Sequence, residues 1–223
     1  MIFSIPNLLT PEELTEITTT LAEAEFVDGK LTAGWHAKLV KNNQQLKQGT
    51  TQVKQLKEKV VTALNRNALF QTAIHPKAIH SLIFSRYQVG MSYDRHVDNA
   101  FMGGSTIYRS DVSFTLFLQS PSIYQGGELV IEGADDEKAY KLEAGTAIVY
   151  PSTTLHRVEK VTKGTRLVVV GWVQSFIRDA SEREILFDLE AARRTIFARE
   201  GKTPEFDLLS KSIANLLRKW ADL

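Results

Sequence analysis

The chain has 223 residues, 43% of them hydrophobic, with 27 basic and 26 acidic side chains, a net charge of +1 and no cysteine. This length and apolar content suit one large domain with a substantial core. The near-zero charge gives no field to steer the protein towards nucleic acid or an anionic membrane, and the missing thiols exclude disulfides, zinc fingers and cysteine nucleophiles.

The opening Met1-Ile-Phe-Ser-Ile-Pro has no basic region, long apolar run or cleavage pattern. No window reaches the ~18 apolar residues of a membrane span, so a soluble cytoplasmic protein is expected. Thr10-Pro11-Glu12-Glu13 carries a helix start, with threonine as N-cap, proline at the first helical position and glutamate three after the cap. Leu14, Ile17, Leu21 and Ala24 then mark an apolar stripe. Phe26–Leu39, with Gly29 and Gly34, predicts a turn and a short strand around Trp35–Val40; His36 there reads as structural or solvated. Lys41–Gln48 is a polar run. Thr50–Asn67 predicts a second helix with Val53, Leu56, Val60 and Leu64 on one side and lysines on a solvated other.

His75 and His80 flank the entry to the core and receive no role. Ile79–Val89 is strand-like and Gly90 ends it. Asn99–Tyr108 contains Gly103-Gly104 and few strand formers, which predicts a mobile loop. Val112–Leu118, Glu128–Ile131, Tyr140–Leu142, Ala147–Tyr150, His156–Val158 and Thr165–Val173 follow as short strands, with Ala134–Lys138 as a solvated hairpin tip. Such strands, spaced by glycine and proline, predict an antiparallel sandwich or jelly roll. By the alternation of side chains, Arg166, Val168, Val170 and Trp172 share one face of the last strand.

After Val173 the pattern changes. Ser181-Glu-Arg-Glu184 reads as a capping box before Ile185, Leu189, Ala192 and Ile196, with Gly201 as stop. Thr203-Pro204-Glu205 opens another helix carrying Leu209, Ile213, Leu216 and Trp220. The two form a helical hairpin whose apolar stripes exceed what one sheet edge must cover, making it a candidate homo-oligomer interface. The expected organisation is an N-terminal helical and sheet-flanking region over 1–77, a β core over 78–174 and the C-terminal hairpin over 175–223.

The chemistry concentrates in Arg86–Asp98, R-Y-Q-V-G-M-S-Y-D-R-H-V-D. His96 and Asp98 lie two apart, so on an extended backbone both point to one face and can meet one metal ion. His156 supplies a second histidine after a later strand. Two histidines and a carboxylate make the facial triad of non-haem Fe(II) oxygenases, which leaves coordination positions open. Arg166 stands in an otherwise mostly apolar strand, where a buried charge must find an anion; a bound carboxylate ligand would satisfy it.

The run Arg86-Tyr87, Gly90, Tyr93, His96-Val97-Asp98, then Gly126-Gly127-Glu128-Leu129, then His156 and Arg166, resembles the prolyl 4-hydroxylase-type Fe(II)/2-oxoglutarate dioxygenases. Among them it is most similar to the PKHD-type hydroxylases of bacteria, over roughly Ser81–Val173. The resemblance implies a double-stranded β-helix (jelly roll) core, mainly β with flanking helices packed on the outer face of its sheet. It implies that His96, Asp98 and His156 are the Fe(II) ligands. Arg166 would bind the distal carboxylate of the cosubstrate 2-oxoglutarate, and Tyr87 would donate a hydrogen bond to it. It also implies ascorbate to keep the iron reduced, and hydroxylation of a prolyl or other peptide or amino-acid side chain with release of succinate and CO2. Two other readings remain open: a cupin-like protein that binds a metal and a small carboxylate without oxygen chemistry, and an assembly module working through its C-terminal helices. No nucleic-acid or membrane partner is expected.

Overall fold

The computed structural model of the protein describes residues 1–32, 34 and 37–223. Strand β1 (Phe3–Ile5) leads to α1 (Pro11–Ala22), capped as the sequence predicts: Thr10 accepts from the Glu13 amide, and Glu13 accepts from the Thr10 amide. Short strands β2 (Phe26–Asp28), β3 (Lys41–Asn42) and β4 (Gln44–Leu46) follow. Helix α2 (Thr51–Arg66) has Thr50 as its N-cap and buries Val53, Leu56, Val60 and Leu64. Asn67 ends α2 and caps α3 (Ala68–Ile74), a helix too short to read from periodicity.

The β core comprises β5 (Pro76–Tyr87), β6 (Ser92–His96), β7 (Phe101–Gly103), β8 (Ile107–Arg109), β9 (Val112–Phe117), β10 (Leu129–Glu132), β11 (Glu137–Tyr140), β12 (Ala147–Pro151), β13 (His156–Val158) and β14 (Arg166–Ser175). These pair antiparallel into a seven-stranded sheet, β1-β12-β9-β14-β5-β4-β2, and a five-stranded sheet, β11-β10-β13-β6-β3. Both sheets contribute to an inner cluster, with Tyr87, Phe117, Tyr150 and Val168 meeting Leu129, Ile131 and Val158. The result is a jelly roll. The other face of the large sheet packs Phe84, Phe114, Leu116, Val149, Leu167 and Val169 against the apolar sides of α1, α2 and α3. Burying such side chains supplies roughly 1.5–3 kcal/mol each and holds the sheet rigid behind the cleft.

Helices α4 (Ala180–Glu200) and α5 (Pro204–Trp220) form the C-terminal hairpin. They gather Leu186, Leu189, Ile213, Leu216 and Trp220 around Ile177.

Four details differ from the sequence reading. The loop expected over Asn99–Tyr108 contains the β7–β8 hairpin, paired Phe101 to Arg109 and Gly103 to Ile107. It is pinned by Tyr108 stacked on His80 and by Arg109, which bonds Asp111 and the Ser175 carbonyl. Of the strand expected around Trp35–Val40, Trp35 and His36 lie outside the described residues, and Ala37–Leu39 forms a 3₁₀ turn. Helix α4 is capped by Asp179, whose carboxylate accepts from the amides of Ser181 and Glu182, so no Ser181–Glu184 box forms. Its buried side is set by Arg183 and Leu186, leaving Ile185 and Ala192 exposed. The acidic tip is shorter than expected because Glu137 and Lys138 already belong to β11.

Candidate active site

A cleft of about 450 Å³ opens between the two sheets. His96 ends β6 and His156 begins β13, and these strands pair with the two histidines directly opposite. Their rings lie 4.3 Å apart, centre to centre. Asp98 follows just past β6 with its Oδ2 3.9 Å from His156 Nε2. One donor atom from each of the three falls within 4.8 Å of the others, a group able to hold a metal ion.

Hydrogen bonds fix how each group faces. His96 Nδ1 is 2.7 Å from the Asp94 carbonyl and His156 Nδ1 is 3.0 Å from the Thr154 carbonyl. A carbonyl only accepts, so both Nδ1 atoms carry the proton and both Nε2 atoms offer a lone pair. Ser113 Oγ donates to Asp98 Oδ2 at 2.6 Å, and Ser152 Oγ lies 2.7 Å from Ser113 Oγ. Since the Ser113 proton goes to the carboxylate, Ser152 donates to Ser113. Burial pushes His96 down to about 4, helped by the neighbouring His156, so it is neutral and ready to ligate. Tyr93 stacks on the His96 ring at 3.6 Å.

Arg166 occupies the same cleft at 1% exposure. It pairs with Tyr87 across β14 and β5, and its guanidinium lies 5.0 Å from the Tyr87 ring. Its Nε and NH1 have no hydrogen-bond partner, and the Tyr124 hydroxyl nearby has none either. An unpaired buried guanidinium costs several kcal/mol, so this cradle is built for an anion. Burial lowers the Arg166 pKa, opposed by Tyr87, Tyr124, Tyr150 and Glu128. Burial also holds the Tyr87 hydroxyl protonated, and Tyr87 bonds Asn43.

All five residues singled out from the sequence therefore converge on one cleft, and Trp172 lines it as well. Glu128 stays out of the triad, near Lys141 at 3.6 Å. Ser113, Ser152, Lys41 and Asn43 escaped the sequence reading. Ser113 and Thr115 alternate with Val112, Phe114 and Leu116, a polar period of two inside an apolar strand, and that signal was available. Lys41 is 7% exposed, with its ammonium 5.2 Å from the Tyr93 ring centre; burial lowers it to about 8 against the pull of Asp98 and Asp28.

The profile of the 2OG-Fe(II) oxygenase superfamily matches residues 82–174. A PKHD-type hydroxylase of Gloeothece citriformis is 70% identical over 222 residues, and one of Picosynechococcus sp. is 69% identical over 222, each match covering 100% of both chains. The chain belongs to the PKHD-type hydroxylases. The fold agrees: a prolyl-4-hydroxylase structure from Pseudomonas putida superimposes with a TM-score of 0.52 at 22% identity, over 78% of this chain and 92% of that one. As a PKHD-type hydroxylase it is an oxidoreductase of the dioxygenase class, and the family implies Fe(II) and 2-oxoglutarate. The cleft fits both: two outward-facing imidazole nitrogens and a carboxylate suit the metal, and the unpaired Arg166 suits a dicarboxylate. Among the described residues, no helix is long and apolar enough to cross a membrane.

Proposed function

We propose that His96, Asp98 and His156 hold Fe(II) in this cleft and that Arg166 and Tyr87 hold 2-oxoglutarate, for hydroxylation of a prolyl or other peptide or amino-acid side chain. The observation that carries the reading is the unpaired, fully buried guanidinium of Arg166 beside a triad whose hydrogen bonds already aim it at a common point. Iron with 2-oxoglutarate supplies the oxidising power: dioxygen gives one oxygen atom to succinate, with loss of CO2, and one to a substrate C–H bond. The chain's own part is positioning. The Asp94 and Thr154 carbonyls orient the imidazoles, and Ser113 leaves Asp98 one oxygen free to ligate. Arg166 fixes the far carboxylate by two parallel hydrogen bonds, with Tyr87 adding a third donor. Leu129, Val158, Val170 and Trp172 in the lining help keep water from the reacting centre.

Ascorbate as the reductant and a cytoplasmic setting belong to this reading, supported respectively by the family resemblance and by the absence of cysteine. So does self-association through α4 and α5, supported by the exposed Ile185, Phe197 and Leu208 on the hairpin. Neither nucleic acid nor membrane is a partner in it, since 27 basic and 26 acidic residues leave a net charge of only +1. The test is mass spectrometry of a peptide and metabolite extract incubated in air with Fe(II), 2-oxoglutarate and either the protein or its Asp98→Ala variant. The active protein should release succinate and leave a product heavier by one oxygen. Iron-loaded protein that forms no succinate would favour the cupin-like binding protein instead.

A further inference from the structure

We propose that Ser81, set by His80, is a fixed hydrogen-bond acceptor that orients the substrate through an uncharged amide N–H. The inference rests on the oxygenase reading of the cleft and names a group that the cleft recognises.

Its first support is a bulge in β5. Ile83 pairs with Val170 and His80 with Trp172, so Ser81 and Leu82 together oppose the single residue Gly171. Ser81 takes a φ of +56 inside this twelve-residue strand, in the left-handed region that favours glycine. Folding alone does not select a serine there. Space is nonetheless kept for the bulge: a Cβ on Gly171 would fall 2.6 Å from Phe114 Cζ and 3.3 Å from Leu82 Cγ. Bulges re-aim side chains beside active sites. This one brings Ser81, Leu82 and Ile83 in succession into the lining of the cleft, which plain alternation along a strand forbids.

The second support is the hydrogen bonding. His80 Nε2 lies 3.3 Å from the Arg109 carbonyl, and His80 Nδ1 lies 3.1 Å from Ser81 Oγ. Burial favours the neutral ring. A carbonyl only accepts, so Nε2 carries that ring's one proton and Nδ1 keeps a lone pair. The Ser81 hydroxyl therefore donates to Nδ1. With its proton committed, Ser81 Oγ has lone pairs alone to offer.

The third is the position of this acceptor. His80, Trp172 and Ser113 lie in register on three neighbouring strands, and Ser113 holds Asp98. Two strand spacings are ~10 Å, so one substrate molecule can touch Ser81 while its reacting bond faces the triad. The cleft residues beside Ser81 are Leu82, Ile83, Val170 and Trp172. None of them is charged. An ammonium would lose its hydration there and leave N–H bonds unmatched, whereas an amide has one proton to place. The donor that fits is the N–H of an amide beside the reacting residue.

The test uses the full chain loaded with Mn(II), which does not turn over, and saturated with 2-oxoglutarate. Calorimetric titration then uses end-blocked pentapeptides with proline, leucine or asparagine at the centre and alanine elsewhere. Each is compared with the same peptide carrying an ester in place of one backbone amide, taken in turn, which removes an N–H without adding bulk. One ester position should weaken binding by the wild type about ten-fold and should change nothing in Ser81→Gly. Ser81→Gly should bind the all-amide peptide about ten-fold more weakly and 2-oxoglutarate as before. It should melt within a few degrees of the wild type, because relief of the positive φ offsets the lost hydrogen bond. Nitrogen NMR of the metal-free protein should find the His80 proton on Nε2, with an Nδ1 resonance that moves in Ser81→Gly. Esters that bind like the amide at every position, no binding by any peptide, or a His80 protonated on Nδ1 overturns the proposal. So does a Ser81→Gly variant that loses peptide and 2-oxoglutarate affinity together, since Ser81 would then serve the fold. A protein that never binds 2-oxoglutarate contradicts the oxygenase reading itself, and shows this before any peptide is added.

Discussion

The two faces of the seven-stranded sheet obey different rules. On the outer face β14 presents Leu167, Val169 and Val173, β9 presents Val112, Phe114 and Leu116, and β12 presents Ala147 and Val149. Every one is apolar, and burial against α1, α2 and α3 explains them all. On the inner face the same strands present Arg166, Ser113, Thr115 and Tyr150, all buried, among Val168 and Ile148. Burial alone would select against those polar groups. A strand alternates sides with every residue, so one short segment serves stability on one face and chemistry on the other. The outer face keeps the inner one rigid, so that Arg166 and Ser113 stay fixed against the triad carried by β6 and β13 of the five-stranded sheet.

This contrast is tested most sharply at the triad, which the five-stranded sheet holds against that inner face. Either His96→Ala or Asp98→Ala should abolish stoichiometric Fe(II) binding by anaerobically prepared protein, measured as iron per folded chain. Retention of full iron by both would remove the cluster from the metal site. Next in size, Phe114→Ala on the outer face should destabilise the protein by about 3–5 kcal/mol in denaturant titration while the folded fraction still binds iron. An iron-free yet fully stable Phe114→Ala protein would show that the faces are not separable. Ser113→Ala probes the inner face without touching a proposed ligand. Loss of its bond to Asp98 Oδ2 should weaken metal affinity by about 10–100-fold with little change in stability.

The smallest effect concerns pH. Burial drives His96 down to about 4 and lowers His75 and His80. The unfolded chain, with ordinary histidines near 6.5, therefore binds more protons between those values. Metal-free protein should hold this stability above about pH 6.5 and lose it progressively towards pH 4 in thermal melts. A melting temperature that stays level or rises over that interval would show that the histidines are not buried as neutral groups.

The same contrast explains what the sequence made legible. The strands from Ile79 to Val173 stood out because the outer face forces apolar residues onto them and Gly or Pro separates them. The triad and Arg166 stood out because His-x-Asp and a lone arginine are anomalies against that pattern. Ser113 was passed over although its alternation with Thr115 in V-S-F-T-L-F-L was a cue, because the cue names no role until the partner Asp98 is seen beside it. The β7–β8 hairpin was missed for a different reason. Its strands, Phe101–Gly103 and Ile107–Arg109, are too short for a period, and their cue is Gly103 at φ +132, where a Cβ would meet the Thr106 carbonyl at 2.0 Å. At α4, Asp179 and Ser181 are both able caps. The carboxylate, which collects two amides and the Ser181 hydroxyl, prevails; separately, packing against Ile177 and Ile213 buries Leu186 and leaves Ile185 exposed.

The central claim is that the cleft between the two sheets binds Fe(II) and 2-oxoglutarate together, with Arg166 as the cosubstrate's anchor. The most direct measurement is an anaerobic titration of 2-oxoglutarate into Fe(II)-loaded protein, following the metal-to-ligand absorption band, for wild type, Arg166→Lys and Arg166→Ala. The account predicts a saturable band in the wild type. It predicts a loss of cosubstrate affinity of roughly thirty- to several-thousand-fold in Arg166→Ala with iron retained, and an intermediate value for Arg166→Lys. An Arg166→Ala protein with unchanged 2-oxoglutarate affinity, or a wild type that gives no band, would contradict it.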